Sequence, residues 1–587
     1  MVKGKNVSMK NDLRIHNIVD KILIIVLIVF TIVRVYLQVK MPLYLQAGAK
    51  ADDFLFFDYA RSILKGKWLG SFNRLTLSKT ISFSIFLIMS YLLGIPYSFA
   101  LIMTYILGII LFISVIKKYI SNKYYLYLMY VVLLYSPVMF HIENVQKVYR
   151  GGVIVSFSLI VVSSIIGIYN SKTEKLKSMF FYSIIASFSL PFFYFLKEDS
   201  IWLVPFVLGA MILTIIYLLF HKTNAKILKI FLTVLPLCSL VGINYIYCSL
   251  NNQYYGQYTI TDRTGTYLKE VLADIIKIDE KNKIKNVWIT KDMFYKAVEA
   301  SPTLQTIKPE IDKMYEDSWG LVNGQFEGDI IYWTFKETVD EAGIYKKGGK
   351  YVNRFYKKID VELKNAFKNG ILEKSNDELI YISPIAEGLS KQEIIDYYKE
   401  VIPKSITMIV TYNENEVGIY EAYGDDEDIY LMDRLTNSVT VWPKENKKNY
   451  PLNTLIVNHS KKIVSIYQKT GILILVLGII GLFLLTINVV IDMIKKRNRY
   501  NDLLLITVGL LGTVSILLFG VQWFSRWCEN SLQRHIYNYS CGIVPIIQIV
   551  ELIGMYIMIQ TIADIVKKIK VNGVVKSEKR VKKRARL

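Results

Sequence analysis

Long apolar runs, broken by short basic stretches, dominate the chain. Eleven apolar runs stand out, at about 21–39, 80–95, 97–116, 124–141, 151–169, 179–196, 200–220, 227–249, 470–494, 502–524 and 541–566. A bilayer core about 30 Å thick takes roughly 20 apolar residues per helix. The runs fall into two blocks, 21–249 and 470–566, around a polar stretch at 250–465. This pattern predicts a polytopic α-helical membrane protein.

Basic residues mark cytoplasmic loops, and here they set the direction of insertion. The N-terminal 1–20 segment (Lys3, Lys5, Lys10, Arg14) and the tail 567–587, with ten basic residues from Lys567 to Arg586, both read as inside. Both ends inside requires an even number of crossings, so one run does not cross. The weakest is 80–95, which is short, holds Ser82, Ser84 and Ser90, and meets the next run at Ile95-Pro96. Read as a juxtamembrane helix, it leaves ten crossings. Lys117/Lys118/Lys123, Lys172/Lys175/Lys177, Lys222/Lys226/Lys229 and Lys495/Lys496/Arg497/Arg499 then all fall inside. The run 21–39 also resembles a secretory signal with Ala47-Gly48-Ala49 as a small-residue cleavage site, but Arg34 interrupts it and that site lies far beyond it. It is read as the first span.

Composition agrees with the pattern: 53% of residues are hydrophobic and mean hydropathy is +0.33. The 71 Lys and Arg exceed the 49 Asp and Glu. That surplus sits mainly beside the spans, where it sets topology and meets anionic lipid headgroups, so nucleic acid is not an expected partner. Four cysteines, none between Asn251 and Lys462, exclude a disulfide framework. The wealth of Ile, Lys, Tyr and Asn fits a low-GC Gram-positive bacterium, with the protein in the cell membrane.

The same topology gathers charge on the outside. The first external loop, 40–96, carries Asp52, Asp53, Asp58, Arg61 and Lys79; the next carries Glu143, Lys147 and Arg150. A third holds Lys197-Glu198-Asp199, and the fourth holds Arg526, Glu529, Arg534 and His535. Lys197-Glu198-Asp199 packs three charges between two spans, where burial is expensive. It reads as a solvated hairpin or as the charged floor of a cavity, with Trp202 and Pro205 following. Asp52 and Asp53 open an amphipathic stretch, and an aspartate at a helix start is ordinarily an N-cap. Beside a membrane and opposed by cations, such a carboxylate also serves as a general base. Arg and Lys on neighbouring loops bind phosphate at headgroup level.

These residues resemble integral-membrane glycosyltransferases of the GT-C class, which include protein O-mannosyltransferases and aminoarabinose transferases. The resemblance covers about 15–250 and, less closely, the last spans. It rests on Asp52-Asp53 after the first span, the stretch Ala60, Ile63/Leu64, Gly66, Trp68, then Lys79 and the Lys-Glu-Asp hairpin followed by Trp202. Many relatives read Lys-x-Pro where this chain has Lys79-Thr80-Ile81. The resemblance implies transfer of a sugar from a polyprenyl-phosphate donor to an extracytoplasmic acceptor, which is a cell-envelope glycan, lipid or protein. It makes Asp52 or Asp53 the catalytic base and places Lys79 at the donor phosphate. Arg150 and Lys197 are further phosphate-binding candidates by location; Glu198, Asp199, Arg526 and Arg534 complete the set. No cofactor is implied with certainty, and the adjacent acids leave a divalent metal open.

The stretch 250–465 is expected to be an extracytoplasmic α+β domain between the seventh and eighth crossings. Val352, Phe355, Tyr356, Ile359, Leu363 and Phe367 form a helical stripe. Alternation at Ile406–Tyr412, Val417–Tyr423 and Ile429–Met432 reads as strands. The acidic run Asp425-Asp426-Glu427-Asp428 lacks the spacing of a calcium loop. Two other function classes compete: a transporter or flippase for a lipid-linked glycan, and a non-enzymatic surface-binding protein. A transporter places charge at the bilayer midplane, whereas the charges here cluster at helix ends.

Overall fold

Nothing in a bilayer core satisfies a backbone amide except the helix's own bonds, so the apolar runs become helices. The computed structural model describes residues 2–280, 284–375, 378–381, 383, 385–443, 454–526 and 538–584. The first block holds α1 (Val2–Val39), α2 (Asp53–Leu64), α3 (Ser82–Leu92), α4 (Tyr97–Ile116), α5 (Lys123–Leu134), α6 (Arg150–Asn170), α7 (Leu176–Tyr194), α8 (Val204–Phe220) and α9 (Lys226–Tyr255). The polar stretch holds α10 (Asp262–Gly265), α11 (Tyr267–Ile275), α12 (Lys291–Ala300), α13 (Pro302–Gln305), α14 (Lys308–Met314), α15 (Ile330–Glu341), α16 (Gly349–Lys368), α17 (Lys391–Thr411) and α18 (Asp426–Thr436). The second block holds α19 (Thr454–Ile494), α20 (Asn501–Ser525) and α21 (Val544–Arg584).

Among the described residues nine helices are long and apolar enough to cross a membrane. The tenth expected crossing, at 124–141, is not one continuous helix, although the chain still runs from Lys123, paired with Asp20, to Lys147, bridged to Tyr44 at the other end of the bundle. α5 stops at Leu134 after 12 residues, about 18 Å at 1.5 Å per residue. Beyond it the chain passes through a 3₁₀ turn at Pro137–Met139 and a π turn at Ile142–Gln146. Irregular backbone at membrane depth needs partners inside the protein, and Arg34 supplies them. Its Nε donates to Leu134 O at 3.2 Å and its Nη2 to Met139 O at 2.6 Å and Gln38 Oε1 at 3.0 Å. The residue that interrupts the first span in sequence therefore caps a helix that ends halfway. α3, with 11 residues, is also too short to cross. It packs against α2 and α18, and Asn437 Nδ2 donates to Ser90 O and Ile95 O at its end.

Most of the basic loops meet at one end of the bundle. There Lys123 pairs with Asp20, Lys172 with Asp502 at 3.1 Å, and Lys229 donates to Glu174 O at 2.7 Å. The opposite end, the domain end, carries the polar stretch. α19 and α21 approach most closely where both lack side chains: a Cβ on Gly481 would lie 1.7 Å from Gly554 O. Small residues permit such backbone contact between membrane helices.

Helices α10–α16 enclose a core of their own, in which Val271, Phe294, Phe335, Ile359 and Leu363 are fully buried. The stripe expected at 350–368 is α16. The expected α+β arrangement is not seen among the described residues, whose one sheet is the hairpin of Leu321–Val322 with Gln325–Phe326, two residues per strand. The strand expected at Ile406–Tyr412 lies almost wholly in α17. That helix starts at a Ser390–Glu393 capping box and buries Val401, Ser405 and Ile409, a four-residue repeat that overrode the local alternation. Ile429–Met432 lies in α18, whose acidic first turn favours the positive end of the helix dipole. Val417–Tyr423 forms no strand and joins the first loop by one parallel bridge, Gln46 to Tyr423.

Candidate active site

Three extended pieces of chain set the register of the first loop at the domain end. Tyr44 pairs with Lys147, Tyr423 N donates to Leu45 O, and Val441 N donates to Leu43 O. α2 follows, with Asp52 at its N-cap position. Asp52 does not cap: its side chain makes no bond to the helix amides. The loop 142–149 is drawn in by Gly151 and Gly152, where added Cβ atoms would lie 2.5 Å from Asn144 Oδ1 and 2.4 Å from Asn144 O. That contact delivers Tyr149 and Arg150 to the start of α2.

Asp52 Oδ1 receives two partners, Lys79 Nζ at 2.7 Å and the Tyr149 hydroxyl at 2.7 Å. Arg150 Nη2 donates to that hydroxyl at 2.9 Å, and its Nη1 lies 3.0 Å from Glu198 Oε2. A relay therefore runs Glu198, Arg150, Tyr149, Asp52, Lys79. Asp52 Oδ2 has no hydrogen-bond partner among the described residues, and the side chain is 48% exposed. Asp53 faces the other way, 2% exposed, with Lys147 Nζ at 3.1 Å. Glu143 shares that lysine at 3.7 Å.

The two neighbouring acids differ electrostatically. Burial opposes ionisation of Asp52, but Lys79 and Arg150 outweigh it and hold the carboxyl well below the usual carboxylate range. Asp53 is raised to about 6 by burial; Lys147 pulls it down and the Asp52 charge pushes it up. Glu198 is lowered although burial opposes this, because Arg150 and Lys79 favour its charged form. Of the two aspartates, Asp52 is the one that is ionised and open on one side.

Lys197 and Asp199 pair at 2.6 Å, and the Lys197 ammonium lies 3.9 Å from the centre of the Tyr539 ring. Tyr539 interacts electrostatically with Asp52, Arg150 and Asp199, so this turn forms one wall of the same site. The helical domain supplies the opposite side. Arg263 pairs with Asp329 at 2.7 Å and interacts with Glu198, while Trp333 lies 5.8 Å from Lys79 Nζ. Sequence reasoning missed Tyr149, Arg263, Asp329, Trp333 and Tyr539. Tyr149 was findable as the neighbour of Arg150; the others come from distant segments and carry no local signal.

Arg526 stands apart, paired with Glu387 and stacked near Tyr397. Arg534 lies outside the described residues, as do Glu529 and His535. Among the described residues no three His, Cys, Asp or Glu side chains converge as a metal site. Asp52 and Asp53 are each turned to a different lysine. Below the Lys197–Asp199 turn an apolar groove of about 320 Å³ runs between α8 and α20, lined by Phe206, Gly209, Leu213, Ile506, Gly509 and Thr513. No family model, curated protein or solved structure matches this chain.

Proposed function

We propose that this protein is a membrane glycosyltransferase that moves a sugar from a polyprenyl-phosphate donor to an acceptor outside the cytoplasm. The observation that carries this reading is the Asp52 carboxylate, ionised and anchored through one oxygen, with its other oxygen open beside Lys79 and Arg150. A group so placed accepts the proton of an incoming hydroxyl or orients it. The lysine and arginine balance charge on a phosphate leaving group, so positioning and electrostatics carry the rate. The α8–α20 groove, at membrane depth, accommodates an isoprenoid tail.

The basic loops gather at the opposite end, which by the positive-inside rule is the cytoplasmic one. Both termini are then inside and the site faces outward. Comparing cell-envelope glycans with and without the gene tests the activity, and Asp52→Asn tests the assignment: expression persists and the glycan disappears. Unchanged glycans in the Asp52→Asn strain would remove the base from this reading. Labelling of single cysteines on intact cells tests sidedness, with position 50 reached and position 498 not.

One observation favours the transporter reading instead. Glu551 lies about ten residues into the last span, 6% exposed, and its Oε1 has no hydrogen-bond partner among the described residues. An unpaired acid near the midplane is characteristic of transport. The transferase reading requires Glu551→Gln to keep transfer within about threefold of the parent; loss of glycan export with donor accumulating inside supports the transporter.

A further inference from the structure

Trp333 is unlike its neighbours on α15. Tyr332 and Phe335 are buried in the domain core, whereas Trp333 is only half-buried, packing against the edge of that core. Its ring is surrounded by cations: Lys79 at 5.8 Å, Arg263 at 5.5 Å and Lys336 at 5.5 Å from the ring centre. The indole N–H of Trp68, Trp319 and Trp442 is hydrogen-bonded in each case. That of Trp333 has no such partner among the described residues. Beside it, Arg263 spends one N–H on Asp329 at 2.7 Å, leaving further donors and a carboxylate oxygen for other groups.

A flat apolar face rimmed by charged donors and acceptors suits a pyranose ring. The sugar's C–H face covers the indole, and its hydroxyls meet the N–H, the guanidinium and the carboxylate. A lipid chain does not suit it, because covering this rim with hydrocarbon leaves Arg263 and Asp329 desolvated without gain. Lys79 is near both groups, its ammonium 5.8 Å from the centre of the Trp333 ring and 2.7 Å from the Asp52 carboxylate. A ring stacked on Trp333 therefore places its anomeric end beside the phosphate-binding cation and the base.

We infer that Trp333, with Arg263 and Asp329, is the platform that binds the sugar ring of the lipid-linked donor. The inference rests on the transferase reading above. It makes the helical domain part of the donor site, and Trp333 a specificity-determining residue that separates a glycosylated lipid from the bare carrier.

The test uses the full-length protein in lipid nanodiscs and two kinds of probe: a short polyprenyl phosphate, and the same lipid phosphate carrying glucose, galactose or mannose. The parent binds at least one glycosylated probe tenfold or more tighter than the bare phosphate. Trp333→Ala erases that preference to within threefold while its affinity for the bare phosphate stays unchanged; Trp333→Phe retains part of it. A preference that survives Trp333→Ala overturns the platform, as does equal weakening of both probes or a parent that binds the bare phosphate with no gain from any sugar. A parent that binds neither probe overturns the polyprenyl-phosphate reading itself, and the platform with it.

Discussion

Two aspartate–lysine pairs sit side by side at the domain end and do opposite things. Ser78 and Lys79 are consecutive; Ser78 accepts from Lys336 Nζ at 2.7 Å, and Lys79 pairs with Asp52. Lys336 and its partner Asp262 form the inner pair, at 2.5 Å, with the lysine 1% exposed. Asp262 is saturated: one oxygen takes the Tyr332 hydroxyl, the other takes Lys336, and its backbone N–H donates to Leu77 O. Burial lowers Lys336, and Asp262 opposes that shift. Asp52 has the same kind of partner, but its Oδ2 has no hydrogen-bond partner among the described residues. A fully satisfied buried pair fixes one piece of structure to another, here the domain to the first loop. A half-satisfied pair at an opening keeps capacity for a ligand.

Replacing Asp52 by Asn gives the largest expected effect: transfer falls about 10²–10⁴-fold, with the melting temperature held. A transfer assay on purified protein beside a thermal melt checks both halves. Asp262→Asn reverses the outcome. It leaves Lys336 buried without a counter-charge, at a cost of about 3–5 kcal/mol, read as a lower melting temperature and faster proteolysis of the domain. Adding Lys336→Met recovers much of that loss. Lys79→Ala reduces transfer by about 10²-fold, the scale of one lost charge-stabilising donor, and Lys79→Arg restores part of it. Equal stability losses from Asp52→Asn and Asp262→Asn would erase the distinction between the pairs.

The smallest expected effect is in pH dependence. The Asp53 carboxyl, at about 6 in the folded chain, lies above the ordinary aspartate value of about 3.9. Between those values the native state holds a proton that the unfolded chain has released, so this group's contribution to stability falls as pH rises from about 4 to 6. Asp52 has the opposite sign: its contribution is present above the ordinary aspartate value and is lost as pH falls below it. Asp53→Asn is expected to flatten the dependence of melting temperature between pH 4 and 6; an unaltered slope there would assign it to other groups.

Much of the bundle was legible because a membrane span is a local property. The run 80–95 was correctly set aside on its length and serines. The run 124–141 passes from one end to the other as a half-length helix followed by irregular chain, a break that hydropathy does not show because it records apolar length alone. The break after Leu134 became intelligible only with Arg34, a hundred residues earlier, donating to its carbonyls. The strands at 406–412 and 429–432 failed for a related reason. Short apolar alternation is weak evidence beside burial of a helical face against other elements.

At the site, Asp52, Lys79, Arg150, Lys197, Glu198 and Asp199 were visible as charges crowded at predicted span ends, where charge is costly. Sequence alone determined that these charges flank apolar spans, because insertion reads residues in order along the chain. Only the tertiary structure decided that Asp52 turns to Tyr149 and Lys79 while Asp53 turns to Lys147, and that Arg263 and Trp333 join the same site. Those choices depend on which remote backbones pack together, and no local pattern encodes that distance.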